Sequence, residues 1–122
     1  MRSDSGSATV WWAALGALLW LAALAVLAAA AARLDRDRAT AAADLAALAA
    51  ASRALQGTAS ACAGARVTAE ANGAHLEACD LTGLTVTVAV SVPSSLADRP
   101  VTARARAGPV SASPGPGSAT PP

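Results

Sequence analysis

From Ser5 to Ala32 the chain carries no charged residue, and from Ala8 to Ala32 nearly every position is apolar. No other feature limits the available folds as strongly. About 20 apolar residues cross a bilayer core of roughly 30 Å, so residues 8–32 are long enough to span it with some tilt. Leu15, Leu18, Leu19, Leu21, Leu24 and Leu27 favour insertion, whereas alanine is close to neutral. Trp11 and Trp12 stand at one edge, where indole rings prefer the headgroup layer, and Arg33, Arg36 and Arg38 close the other. Gly16 and the alanines leave one side smooth enough for close helix packing. The run reads as a transmembrane helix over 8–32. The rival reading is a secretory signal cut after Ala30-Ala31-Ala32, but such signals have apolar cores of only about 7–15 residues.

Composition limits what the rest can be. The 122 residues hold 37 alanines and three Trp, with no Phe or Tyr. Methyl groups bury little area each at about 25 cal/mol per Å², so a large enzyme-like core is not expected. Mean hydropathy is +0.44, which agrees with a membrane component. Nine arginines face eight acids for a net charge of +1, and neither part of the chain has the basic footprint that nucleic acid requires.

Helical periodicity continues past the membrane edge. Ala41, Leu45, Leu48, Ser52 and Leu55 fall on one helix face. With no Pro or Gly between Gly16 and Gly57, the pattern predicts one helix running to about Gln56 and ending at Gly57. A second helix is expected from Ala59 to Ala71, stopped by Asn72-Gly73. The period then becomes two. His75–Asp80 reads as a strand, Leu81-Thr82-Gly83 as a turn, and Leu84–Val92 as a strand with Leu84, Val86, Val88, Val90 and Val92 on one face. Pro93 and Pro100 bracket a loop, and Val101–Ala107 reads as a third strand with Thr102, Arg104 and Arg106 on its wet face. The predicted class is α+β: a long N-terminal transmembrane helix continuing into a head of a short helix and a small antiparallel sheet. The divisions are 1–7, a leader-like segment; 8–32, the membrane helix; 33–107, the head; and 108–122, a disordered Pro/Gly/Ser tail.

Cys62 and Cys79 fall in the second helix and the first strand, where one disulfide would staple the head. The other reading is two free thiols in a cytosolic domain. Two topology cues conflict: one Arg before the apolar run and three after it place the C-terminal side inside, while a disulfide places it outside. Two cysteines and the single His75 lack a usual fourth metal ligand, so no metal site is expected and His75 reads as a surface strand residue. Asp44 reads as a residue on the solvated helix face, and Glu70, Glu77 and Asp80 as solubilising carboxylates. There is no phosphate loop and no nucleophile motif, so neither a cofactor nor an enzymatic activity is expected.

The opening Arg2-Ser3-Asp4-Ser5-Gly6-Ser7-Ala8-Thr9-Val10, directly before an apolar helix, resembles the start of TadE-like proteins, the pseudopilins of tight-adherence (Flp-type) pilus systems. Ala42-Ala43-Asp44-Leu45-Ala46-Ala47-Leu48-Ala49-Ala50-Ala51 looks like that family's alanine-rich segment. Ala61-Cys62-Ala63, Ala71-Asn72-Gly73-Ala74, Cys79 and Ala103-Arg104-Ala105-Arg106-Ala107-Gly108-Pro109 are similar to a short actinobacterial branch found near helicase and secretion genes. The resemblance implies a single-pass cell-membrane protein, N-terminus cytoplasmic and head extracytoplasmic. It would act structurally in pilus or secretion-system assembly, with other pilin-like subunits and assembly proteins as partners. It also implies prepilin processing between Gly6 and Ser7, which leaves Trp11 at the position that is usually Glu in the family. An indole cannot form the ion pair a carboxylate makes there. The alternative is a membrane-tethered envelope binding or regulatory protein outside any filament, which would need a ligand-sized apolar pocket.

Overall fold

A computed structural model describes residues 4–110. Residues 1–3 of the leader-like segment and 111–122 of the expected tail lie outside the described residues. The chain forms helix α1 (Asp4–Ala51), a 3-10 turn (Ala54–Gln56), helix α2 (Thr58–Ala71) and strands β1 (His75–Thr82), β2 (Thr85–Val92) and β3 (Val101–Ala107). The strands form one antiparallel sheet in the order β1-β2-β3. This is the expected α+β arrangement.

Uninterrupted helix-forming residues carry α1 for 48 residues, about 72 Å at 1.5 Å per residue. It stops at Ala51, earlier than the expected Gln56. There Ser52 Oγ donates to the Ala49 carbonyl at 2.8 Å and the chain tightens into the 3-10 turn before Gly57. Helix α2 closes where Asn72-Gly73 predicted. Ala74 N donates to Ala69 O at 2.9 Å and Gly73 N to Glu70 O at 3.0 Å, the paired bonds of a Schellman cap.

The two helices lie on one face of the sheet, α1 over β2 and β3 and α2 beside β1. Helices supply small groups to the core and the sheet supplies the larger ones. Ala39, Ala42, Ala43, Ala46, Ala47 and Ala50 of α1 meet Ala61, Ala65 and Ala69 of α2 above Val86, Val88 and Val90. At the helix crossing Gly64 is buried, and a Cβ there would stand 3.1 Å from Arg53 Cδ and 3.3 Å from the Ala49 carbonyl oxygen. Alanine and glycine faces thus let two helices and a sheet approach closely without aromatic filler.

The helix packs by a different face from the one the leucine periodicity marked. Ala41, Leu45, Leu48, Ser52 and Leu55 are all exposed, and the alanines on the other side make the contact. Summed hydrophobicity favours the leucine side, but only methyl groups fit the space above the valine layer.

The first hairpin is also shifted. Strand β1 extends through Thr82, which pairs with Thr85, so the turn is Gly83-Leu84 rather than Leu81-Thr82-Gly83. Gly83 has φ 63° while Leu84 stays at negative φ, the positions a two-residue type II′ turn demands. Leu84 therefore lies outside β2 and is half exposed, and Val86, Val88, Val90 and Val92 make the inner face.

A bulge sets the phase of β1. Leu76 pairs with Val90 and Ala78 with Ala89, leaving Glu77 as the extra residue. Strict alternation from Leu76 would place Ala78 and Asp80 inward. With the bulge, Leu76, Cys79 and Leu81 pack against the core instead. The Glu77 carboxylate accepts a hydrogen bond from Ser91 Oγ on the neighbouring strand, so a buried hydroxyl is satisfied at the same place.

Candidate functional site: the stem helix

The bulge delivers Cys79 to α2, where it is joined to Cys62 with the two Cα atoms 5.8 Å apart. The bridge fixes the helix–sheet packing in a head too poor in large side chains to rely on area alone. His75 and Asp44 are exposed, the surface positions expected of them.

No residue of 8–32 is buried, and Trp12, Leu19 and Trp20 are each about 70% exposed. Side chains this large and apolar, ringing a helix on all sides, match a hydrocarbon solvent rather than water. The helix is long and apolar enough to cross a membrane. Gly6 and Ser7 lie in its first turns, and Trp11 projects from the same stretch.

From the second half of the apolar run onward, α1 keeps a seven-residue period. Leu24, Ala31, Arg38 and Leu45 form one line, and Leu27, Leu34, Ala41 and Leu48 form a second beside it, offset by three residues. These are the a and d positions of a coiled-coil seam. Leu34, Leu45 and Leu48 remain 46–61% exposed although they stand beside the soluble head. The seam thus runs from the apolar run along the head to Leu48, with one charged interruption, Arg38.

At the membrane edge α1 holds the β2–β3 loop. Asp35 is almost fully buried, and its Oδ2 accepts from Ser95 N and Ser95 Oγ, both at 2.8 Å, and from Ser94 Oγ at 3.5 Å. The Ser95 amide and hydroxyl, with help from nearby Arg38, hold the carboxyl below its ordinary pKa despite the opposing cost of desolvation. Nothing in the sequence periodicity marked this contact, because its partners are 60 residues apart. An acid placed among alanines at the head-facing side of a helix was the available clue.

The family model for Flp pilus-assembly TadE/G-like proteins matches residues 6–54. The stem is therefore similar to TadE/G-like proteins. The matched segment covers nearly all of α1 and ends at the 3-10 turn, so the likeness resides in the helix and stops before α2 and the sheet. No curated protein and no solved structure matches the chain. The TadE/G-like match over the stem and the membrane-length helix together support a membrane component related to Tad pili. That family is structural rather than catalytic.

In the head, the apolar cleft between Ala54, Leu55, Leu84 and Pro109 has a volume of about 280 Å³.

Proposed function

We propose that the protein is a pseudopilin-like structural subunit that joins a Tad-type pilus or secretion assembly through the exposed seam of α1. The carrying observation is that seam: a heptad pattern of leucines and alanines, broken once by Arg38, that leads from the membrane segment along the head and leaves Leu34, Leu45 and Leu48 exposed. Its period of 3.5 residues suits a left-handed crossing with a second long helix. In the bilayer Ala31 and its neighbours permit close approach, and outside it Leu34, Leu45 and Leu48 gain from leaving water.

In this reading the N-terminus is cytoplasmic and the head lies outside, where the disulfide persists. The domain scheme is a leader-like 1–7, a membrane helix 8–32 and a head 33–107. Processing falls between Gly6 and Ser7, which makes Trp11 the fifth residue of the mature chain. Trp11 removes the carboxylate that elsewhere pairs with a neighbour's amine, so subunit register here depends on the leucine seam. A single cysteine at Leu48, a seam position, should cross-link the full chain to another pilin-like subunit in cells. A cysteine at Asp44 is the control beside it. Loss of the gene should abolish pilus or secretion-system assembly. Unchanged assembly, together with no adduct at position 48, sinks the proposal.

A further inference from the structure

The two helices pack on one face of the sheet, and among the described residues no element packs on the other. Val86, Val88 and Val90 point to the helices, so Thr87 and Ala89 between them point away. The ladder fixes what stands level with each. Asp80 pairs with Thr87 and Thr87 with Arg106, while Ala78 pairs with Ala89 and Ala89 with Arg104. The outer face therefore carries an acid on β1, small side chains on β2 and arginines on β3. The bulge adds Glu77 to the acidic side, where it accepts the Ser91 hydrogen bond, and Thr82 Oγ1 donates to Asp80 at 3.2 Å. Asp80, Arg104 and Arg106 are exposed, and among the described residues no salt bridge joins them.

Strand β3 runs beside α1 in the same direction. Asp35 holds Ser95 in the loop leading into the strand, and Ala51 and Ala54 share a cleft with Gly108 and Pro109 just past its end. The three columns of side chains thus rise along the stem. Two copies crossing one bilayer with the same topology can be related by a two-fold axis only if it lies along the membrane normal. Turned about such an axis, two outer faces meet with β1 of each over β3 of the other, and every residue keeps its height. Asp80 of one copy then stands over Arg106 of the second, Glu77 over the level of Arg104, and Thr87 and Ala89 meet their own equivalents on the axis. The other face-to-face arrangement, about an axis across the strands, sets β1 over β1, acid against acid, and points the stems in opposite directions. Charge and membrane topology select the same pairing.

We infer that the outer sheet face is a self-pairing surface whose occupant is the same face of a second copy of this chain. Small side chains in the central column let two sheets pack about 10 Å apart, within reach of arginines at the rim. Three strands about 4.8 Å apart and seven residues of about 3.3 Å each cover roughly 330 Å² per head. That is less than half of what a stable interface buries on each side, so pairing draws on the effective concentration of stems confined to one bilayer. The rim ion pairs add little affinity each and serve to decide which faces meet. The exposed leucines of the seam lie on the far side of α1 from the sheet, so a pair leaves them free. This inference rests on the membrane reading of α1 and not on the pilus role.

The test uses the full chain in phospholipid vesicles, with Thr87→Cys as the on-axis reporter and the native cysteines held in their bridge. A short bifunctional thiol reagent should give an adduct of twice the chain mass. Val67→Cys on α2, also exposed, should give several-fold less. Asp80→Arg should cut the adduct at 87 several-fold, and so should Arg106→Asp. Combining the two reversals restores complementarity and should restore the adduct, a rescue that neither misfolding nor random collision produces. An adduct at 87 no stronger than that at 67 overturns the pairing, as does one that ignores both reversals. Failure of the double variant to recover refutes the register of Asp80 over Arg106. A strong adduct between cysteines at 48 with none at 87 refutes the sheet pairing alone and leaves the seam standing.

Discussion

Helix α1 has two parts, both rich in alanine and leucine, that behave in opposite ways. Residues 8–32 bury nothing and expose leucine, tryptophan and alanine alike, whereas residues 33–51 bury alanine and expose leucine. In the first half the large side chains have hydrocarbon as solvent, so exposure costs nothing. In the second half the solvent is water, and leucines are left there because the sheet accepts only methyl groups at contact distance. The lesson is that a face chosen by hydrophobicity and a face chosen by fit need not coincide. Where they differ, the rejected apolar face is available for another chain.

The largest expected effect removes the staple that holds the second half in place. Replacing Cys62 and Cys79 by serine should destabilise the head by about 3 kcal/mol, a fall in melting temperature of about 12–24 °C for a domain of this size. Membrane insertion of residues 8–32 should be unchanged by the same substitutions, as read by carbonate extraction. Loss of both together would mean that the halves are not independent.

Equal substitutions in the two halves sharpen the contrast. Ala46→Leu adds bulk at a position with no exposed surface and should cost about 2 kcal/mol by overpacking. Ala23→Leu, in the exposed half, should leave thermal unfolding of the head where it was. Similar melting curves for the two variants would contradict the alanine-face packing.

A smaller effect concerns the junction. The folded pKa of Asp35 is depressed, so its contribution is complete above its unfolded value near 4 and disappears as pH falls through the lower folded value. Thermal melts between pH 2 and 6 should show the wild type losing stability on the acid side. Asp35→Asn should be less stable than the wild type at pH 6, and the difference should close toward pH 2.

The smallest expected change is in Leu45→Ala and Leu48→Ala. Exposed positions alter monomer stability by about 0.5 kcal/mol or less, so melting should barely move while cross-linking through the seam weakens. A strong loss of stability would place these leucines inside the head after all.

Much of this arrangement was legible from residue patterns. The uncharged run to Ala32, the valine alternation of β2, the Asn72-Gly73 stop and the third strand all follow from local periodicity and turn chemistry, which need no knowledge of partners. Glu77 was not legible as a bulge, because one inserted residue leaves no signature except that Cys79 and Asp80 otherwise face the wrong way. The packing face of α1 was not legible either. Leu45 and Leu48 carry the periodic signal, yet the depth available above Val86, Val88 and Val90 is a tertiary quantity. Asp35 escaped for the same reason: its serine partners reach it only after the sheet is folded. For the candidate site, the stem itself was read from the chain, whereas the exposure of its seam required the fold.

The most direct test of the account is thiol labelling of the full chain in intact cells, before and after reduction. A stem that crosses the membrane once and carries a bridged head outside predicts no labelling of Cys62 or Cys79 by an impermeant reagent until a reductant is added, and full labelling afterwards without lysis. Cysteines that label only after lysis, with no reductant needed, would place an unbridged head in the cytoplasm and contradict it.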